Sequence, residues 1–471
     1  MLDVHAIAAT AAPVAAASAG AWIVGGSVRD AVLHRLSDDL DLVVAGDAEV
    51  FARSLAAELG GTVFSYSDRF SAWRIACEGG HVDVAPLRGA TIAADLRGRD
   101  FTVNAMARPL GAQPAALLDP CGGLADLRAR RLAPCSPRAL ADDPVRVVRL
   151  ARLRFELEFS PVPGLERAAA DAAAGLAGVS VERLEHELST LLGLPSAAQA
   201  VRCLSDLGAL DVTLPELAAC RGVTQNPYHH LDVFDHTLEA LAFLPQVVAA
   251  LGGERFLAPA AQVGLPGAAA LTPLAWAVLL HDIGKPAARY VDDDGRVTFY
   301  SHDRIGEELA RGICRRLHLS RRFEQYLAVL VRRHLRLGFL VREMPLTRRA
   351  LVRFRRDVEP FVFEAIVLSL ADRVATRGER TPPRSLARHF RIARDVFGDA
   401  PATSPALLRG GEVMELLGVG EGATVGRALA ALREEADCGV VTTPAQARAF
   451  LLAWWERERK AGCEQEGRSP A

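Results

Sequence analysis

The chain has 471 residues, a formal net charge of −2, half of its residues hydrophobic and 24% charged. That length exceeds one ordinary core and calls for roughly three or four domains, and the composition excludes a disordered chain. Apart from one N-terminal stretch, no run approaches the ~20 uninterrupted apolar residues of a membrane span, and the near-neutral charge argues against a uniformly basic nucleic-acid binder while allowing a basic groove.

The apolar stretch from Ala6 to Ala21 follows Asp3, with no Lys or Arg before it, so it reads as an Ala-rich lead-in over residues 1–19 rather than a signal peptide. From Ala21 to Ala107, short β-branched runs (Trp22 to Val24, Leu40 to Val44, Thr62 to Tyr66, Trp73 to Cys77, His81 to Val84) alternate with helical stretches at Ser27 to Leu36 and Asp47 to Leu59. This predicts a small α/β head. After Pro120 the strands fade, and from Pro144 nearly everything reads as amphipathic helix, broken by loops at Pro161 to Gly164, Arg221 to Pro227, Gly252 to Thr272 and Gly398 to Pro405. The eight cysteines form no close pairs, which fits buried thiols in a reducing cytoplasm better than disulfides or a zinc knuckle. Lysine occurs only at Lys285 and Lys460, so an isolated Arg carries little information and only Arg at motif spacing counts.

In the head, Trp22-Ile-Val-Gly-Gly-Ser-Val-Arg-Asp30 reads as strand, Gly-Gly turn and helix start. Glycines let a triphosphate approach the backbone, and Arg29 adds a fork of positive charge. Asp39-Leu-Asp41 follows on an apolar strand, where residues two apart share a face, so both carboxylates can hold divalent cations at one spot. Asp83 in His81-Val-Asp-Val84 is a third candidate carboxylate.

With Arg99-Asp-Phe-Thr-Val-Asn-Ala-Met106 added, this head resembles the bacterial and eukaryotic type of tRNA nucleotidyltransferase and the related bacterial poly(A) polymerases. The resemblance implies a multi-domain chain: a polymerase-beta-like α/β nucleotidyltransferase head followed by an all-α neck, body and further helical domain. It implies that Asp39 and Asp41 bind catalytic Mg2+, that Gly26, Arg29 and Arg99 contact the incoming nucleotide, and that Asp100 to Asn104 help to recognise the ribose. Asp100 reads equally as an N-cap for the helix that follows. Asp119-Pro-Cys-Gly-Gly-Leu-Ala-Asp-Leu127 is similar to the family's head-to-neck hinge.

Asp143, Arg146, Arg149 and Arg152 advance by three and so form a row along one helix face, which needs acceptors if it is buried. The resemblance implies that Asp143 and Arg146 offer an acceptor and a donor edge to the base of CTP or ATP, in place of a nucleic-acid template, while Arg149 and Arg152 address phosphates or brace that pair. Only Pro86 to Asp95 separates the third-carboxylate strand from the Arg-Asp-Phe-Thr motif, a shortened arrangement similar to members that add only CC. Val179-Ser-Val-Glu-Arg-Leu-Glu-His-Glu-Leu188 resembles the family's body helix, which Ser180 is expected to cap, and the resemblance implies that this region contacts RNA.

A second constellation comprises His236, the pair His281-Asp282 and the distant Asp372, nitrogen and oxygen ligands suited to a divalent transition metal with room for water and phosphate. It resembles the HD phosphohydrolase superfamily, in which His302 and His334 match the additional ligands of binuclear members, and Lys285 is suited to a phosphate oxygen. The expected organisation is lead-in 1–19, head 20–118, neck and RNA-binding body 119–222, HD domain 223–397 and helical tail 398–471. The expected activity is addition of C and/or A from CTP and ATP to the 3′ end of tRNA or another RNA, with a second phosphohydrolase activity and no membrane partner. The rivals are a poly(A) polymerase, an HD phosphohydrolase whose head serves RNA binding, and a non-catalytic RNA binder, which intact carboxylates and histidines disfavour. The motifs set no oligomeric state.

Overall fold

The computed structural model describes residues 14–15, 20–35, 39–67, 72–78, 80–110, 116–340, 346–398 and 405–466. All but two residues of the expected lead-in, and most of the loop from Gly398 to Pro405, lie outside the described residues. The chain forms two compact units, residues 1–218 and 219–471.

The first unit begins with a six-stranded mixed sheet in the order β3-β4-β5-β2-β1-β6. Its strands are β1 (Ala21–Val24), β2 (Asp39–Val44), β3 (Thr62–Ser67), β4 (Ala72–Cys77), β5 (Gly80–Pro86) and β6 (Ala107–Pro109). Alternation decides which way each strand faces: Leu40 and Leu42 of β2 are buried with Val82 and Val84 of β5, leaving Asp39, Asp41 and Asp83 on the opposite face. Helix α1 (Gly26–Val32) follows β1 directly. Helix α2 (Ala48–Leu59) starts at Asp47, whose carboxylate accepts from the Glu49 and Val50 N–H groups, and stops at Gly60 in the left-handed region. Such a cap contributes about 1 kcal/mol, and Phe51 and Leu55 fix the helix to the sheet.

Helix α3 (Ile92–Arg97) and a single 3-10 turn (Thr102–Asn104) lead through β6 to α4 (Gly123–Arg128). At the start of α4 the backbones pack so closely that a Cβ on Gly123 would lie 2.1 Å from the Thr102 carbonyl oxygen. Helices α5 (Val145–Glu156), α6 (Val181–Leu192) and α7 (Ala197–Asp206) build the neck and body, with α6 and α7 packing on α5. Ser180 occupies the N-cap position of α6 as expected, but its side chain makes no capping hydrogen bond.

In the second unit, α9 (Thr272–Leu280) is buried at every position, as an all-apolar helix must be, and carries the chain into the interior at His281 and Asp282. Around it lie α8 (Val233–Ala250), α10 (His302–Arg316), α11 (Arg321–Arg333), α12 (Arg348–Val358) and α13 (Val362–Ala375), with α13 packed along α8. Helices α14 (Gly410–Leu417), α15 (Ala423–Asp437) and α16 (Pro444–Glu466) form a small cluster around Val413, Ala428, Ala447 and Leu451, against which Trp454 and Trp455 pack.

Beyond the head, two short two-stranded ladders accompany the helices. Arg131–Leu132 (β7) pairs in parallel with Ser160–Pro161 (β8), and Tyr290–Val291 (β9) forms an antiparallel hairpin with Val297–Thr298 (β10). The hairpin had a local signal: Asp292-Asp-Asp-Gly295 lies between Tyr290-Val291 and Val297-Thr298, aromatic and β-branched residues, and the Asp292 carboxylate accepts from the Asp294 and Arg296 N–H groups to shape the turn. No helix of the described residues is long and apolar enough to cross a membrane.

Candidate active site and metal centre

Strand register builds the first site. Asp41 of β2 lies beside Asp83 of the parallel β5, and Asp83 lies opposite Arg74 of β4. Arg74 holds Asp83 in a bidentate pair of 2.6 and 2.7 Å, so this third carboxylate carries its own countercharge. The next register pair places His81 Nε2 2.9 Å from Asp39 Oδ1. Ser27, which the sequence reading did not single out, clips the carboxylate strand to α1: its Oγ accepts from the Asp41 N–H at 2.9 Å and lies 3.3 Å from the Asp39 carbonyl oxygen. Gly25 adopts φ +72, and a Cβ there would stand 3.0 Å from Arg99 Nη1 and 3.2 Å from Asp41 Oδ2. The turn thus floors a pocket with a carboxylate on one side and a guanidinium on the other, a position that requires glycine.

Burial, and after it the neighbouring Asp83, push the Asp41 carboxyl up to about 6, partly offset by Arg99. Crowded carboxylates of this kind fit a divalent cation: hard oxygen donors on one face, with more negative charge than the surrounding guanidinium groups neutralise.

The guanidinium groups of the sequence motifs divide between this pocket and its supports. Arg99 faces the pocket and is held through Nε by buried Asp95 at 3.1 Å. Asp95 also accepts from the Arg88 N–H, which makes the short Pro86 to Asp95 connection a tied structure. Arg29 is buried and bound to Asp30 at 2.9 and 2.8 Å and to Asn104 Oδ1 at 2.8 Å. Gly26 lies under that guanidinium, 3.5 Å from Arg29 Nη2 at its would-be Cβ.

The row of residues 143, 146, 149 and 152 differs from the expected single helix face. Asp143 precedes α5 in an extended conformation, and the helix starts at Val145. Asp143 Oδ2 accepts from Arg183 Nη2 at 2.6 Å and lies 3.6 Å from Arg146 Nε. Arg146 donates to the carbonyls of Arg99 and Ala139 at 3.1 Å and of Gly98 at 2.9 Å, so it holds the backbone that presents Arg99. Arg149 and Arg152 converge on Glu187 of α6 at 2.7 and 2.9 Å. Their further partners are Asp100 for Arg149 and Glu156 for Arg152.

Together these residues close a ring. Arg29 bonds Asn104, Asn104 bonds Asp100 at 3.3 Å, Asp100 bonds Arg149 at 3.0 Å, Arg149 and Arg152 share Glu187, Arg152 pairs with Glu156, and Glu156 returns to Arg29 at 3.8 Å. Asp100 is therefore not the N-cap of the 3-10 turn, whose N-cap is Phe101; its Oδ1 accepts the Phe101 N–H at 2.7 Å. Burial alone would raise the Asp100 and Glu187 carboxyls, but Arg149 at Asp100, and Arg152 with Arg149 at Glu187, outweigh it and hold both below their ordinary values.

The second unit carries an independent centre. His281, His302 and His334 each place Nδ1 2.7 Å from the carbonyl three residues earlier, on Val278, Phe299 and Val331. Nδ1–H donation to those carbonyls leaves Nε2 as the lone-pair nitrogen facing inward, the orientation of a metal ligand. Asp282 lies between them: Oδ2 is 3.1 Å from His281 Nε2 and 3.8 Å from His236 Nε2, and Oδ1 is 3.5 and 3.7 Å from His302 and His334 Nε2. His236 Nε2 is 3.0 Å from Asp372 Oδ1. The ligand atoms form three groups, each within 4.8 Å: His229, His236 and Asp372; His236, His281 and Asp282; and Asp282, His302 and His334. His229, absent from the expected ligand set, joins through Asp372.

Burial holds His229 and His334 down at about 3, so they remain neutral, and it also lowers His302. Burial opposes charge on His281 as well, but Asp282 outweighs it and raises that imidazole. His281 Nε2 and both Asp282 oxygens are buried without an oriented hydrogen bond, which fits donors arranged for a cation. Lys285 Nζ sits 2.6 Å from Asp282 Oδ2 and 2.6 Å from Gln225 Oε1, at the edge of this centre.

Comparison with known proteins follows the same division. The "Poly A polymerase head domain" profile matches residues 21–93 and 88–133, the "Probable RNA and SrmB- binding site of polymerase A" profile residues 158–221, and the "HD domain" profile residues 233–377. An A-adding tRNA nucleotidyltransferase of Deinococcus radiodurans is 39% identical over 93% of this chain and 96% of its own length. A CC-adding tRNA nucleotidyltransferase of Thermus thermophilus is 37% identical over 92% and 93%. Among solved structures, a CCA-adding enzyme in complex with CTP shares the fold with a TM-score of 0.62 at 19% identity, covering 96% of this chain and 95% of that one.

Proposed function

The chain belongs to the tRNA nucleotidyltransferase and poly(A) polymerase family, and from that premise we propose that it extends the 3′ end of tRNA with C and/or A taken from CTP and ATP. The observation that carries this reading is the strand register that sets Asp39 and Asp41 on one face beside the Gly25 turn and Arg99. Bound at Asp39 and Asp41, divalent ions, Mg2+ in this reading, would supply activation of the RNA 3′-hydroxyl and stabilisation of the pyrophosphate leaving group. Gly25 and Gly26 leave the backbone open to the triphosphate, and Arg99 meets its charge. Arg29 orders the ribose side through Asn104, and Asp143 offers an acceptor to the exocyclic amine of cytosine or adenine. Arg146, Arg149 and Arg152 act as supports for this pocket.

The tied connection between β5 and Arg99 supports partial addition over synthesis of the whole CCA end, in line with the single-step names of both relatives. Incubation with tRNAs ending before the first C, and after CC, with each labelled triphosphate separates the cases. Extension of only one substrate supports partial addition; extension of both to a full CCA end overturns it, and long A tails would favour a poly(A) polymerase. Asp41→Asn abolishes all incorporation while tRNA binding persists; normal turnover in that variant overturns the assignment.

In the second unit, His236, His281, Asp282 and Asp372, with His302 and His334, would hold a divalent transition metal, and the bound metal would supply a nucleophilic water for phosphate-ester hydrolysis. The proposed domain limits remain 20–118, 119–222, 223–397 and 398–471. The seven described cysteines are free thiols, which supports work in the cytoplasm.

A further inference from the structure

The two carboxylates of β2 have unlike neighbours. Strand β5 runs between β2 and β4, and on the face that carries Asp39 and Asp41 its side chains are His81 and Asp83, because Val82 and Val84 are buried on the other. Two rungs cross the three strands on that face. In one, Arg74, Asp83 and Asp41 are in register, and Asp83 is drawn to Arg74 at 2.6 and 2.7 Å. In the other, Ala76, His81 and Asp39 are in register. Alanine offers an imidazole no polar partner, and His81 turns to β2 instead, with Nε2 2.9 Å from Asp39 Oδ1.

The direction of that contact matters because Asp39 is the exposed member of the pair. Its side chain is 60% exposed, whereas that of His81 is 29% exposed and stands between two strands. Ser27 Oγ fixes the Asp39 backbone carbonyl and the Asp41 N–H, but an exposed side chain keeps several rotamers, and ordering it onto a cation costs that freedom. A carboxylate only accepts, so His81 donates its Nε2–H to Oδ1, and lone pairs on both Asp39 oxygens remain for an ion. A hydrogen-bonded carboxylate of this kind is ordered before the metal arrives. We propose that His81 is a positioning residue of the nucleotidyl-transfer site, whose Nε2–H holds the Asp39 carboxylate in the orientation that receives the divalent ion. This rests on the reading of Asp39 and Asp41 as metal ligands.

The test uses the full chain and the variants His81→Phe, which keeps a ring without the donor, and His81→Gln, whose amide restores one; His81→Ala takes the place of the Phe variant if that protein fails to fold. Fe2+ with ascorbate and peroxide cuts the backbone beside the site it occupies, so fragments ending near residues 39–41 report the first site, and fragments ending near residue 282, in the other unit, serve as an internal reference. His81→Phe should raise the Fe2+ needed for half-maximal cutting near residues 39–41 by about tenfold or more and leave the cutting near residue 282 unchanged. In single-nucleotide incorporation the Mg2+ needed for half-maximal rate should rise by the same factor, with kcat recovered at saturating Mg2+, and His81→Gln should return both quantities close to wild type. Unchanged metal requirements in His81→Phe overturn the positioning role while leaving the metal reading intact. A Gln variant as defective as the Phe variant overturns donation by Nε2. Absence of cutting near residues 39–41 in the wild type, with cutting near residue 282 present, overturns the metal reading itself and the positioning role with it.

Discussion

Replacement of Glu187 by Gln is the most demanding test of the charged ring. Glu187 is 2% exposed and is the shared partner of Arg149 and Arg152, whose side chains are 30% and 16% exposed. Removing one partner of a buried ion pair costs about 3–5 kcal/mol because the other charge is stranded. Here Arg149 keeps Asp100 and Arg152 keeps Glu156, so the lower end applies, about 3 kcal/mol. For a unit of this size each kcal/mol moves Tm by about 2–4 °C, which predicts a drop of roughly 6–12 °C in the transition of the first unit. The same change loosens Asp100, Asn104 and Arg29, so kcat/KM for CTP and ATP should fall together on the order of 10–100-fold, as expected when positioning groups shift. Differential scanning calorimetry and single-nucleotide incorporation measure the two effects. Glu185→Gln is the control: Glu185 lies on the same helix but outside the ring and accepts from Ser189 Oγ. A Glu187→Gln protein that melts within about 2 °C of the wild type, or incorporates nucleotides as well as the control, refutes the ring as a support of the nucleotide pocket.

Three further outcomes follow from the same geometry. Because the folded carboxyls of Glu187 and Asp100 lie below ordinary values of 4.5 and 3.8, their stabilisation is present above those values and is lost as pH falls through the lowered ones; acid melting of Glu187→Gln should therefore depend less on pH than that of the wild type. Asp143→Ala removes the acceptor for the exocyclic amine and should reduce the preference for CTP and ATP over UTP and GTP by about 1–3 kcal/mol; incorporation of all four triphosphates reduced by one common factor would leave Asp143 as a merely electrostatic group. Gly123→Ala drives a Cβ into the Thr102 backbone and should cost at least about 1–3 kcal/mol; a melting temperature equal to the wild type would show that the turn can open without penalty.

Much of the head was legible because its information is local. Period-two alternation put Asp39 and Asp41 on one face, and the Gly-Gly turn marked a close backbone approach. The short hairpin at residues 290–298 was overlooked because two-residue strands carry almost no periodicity. The sequence also stated a need without its answer: three arginines in a row had to find acceptors. The acceptors that Arg149 and Arg152 share or take from afar, Asp100 from the head and Glu187 from the body helix, depend on packing between segments 35–49 positions apart, for which no local pattern exists, and Arg146 reaches the Gly98 and Arg99 carbonyls by the same packing. In the same way, that Asp41 falls beside Asp83 and Asp83 opposite Arg74 is a matter of strand register, set by the burial of Leu40, Leu42, Val82 and Val84 across the sheet. The sequence by itself determined which chemical groups each segment offers and on which face. The tertiary structure decided which of those charges neutralise one another as scaffold and which stay turned toward a ligand, because that choice depends on distances that only the packed core defines.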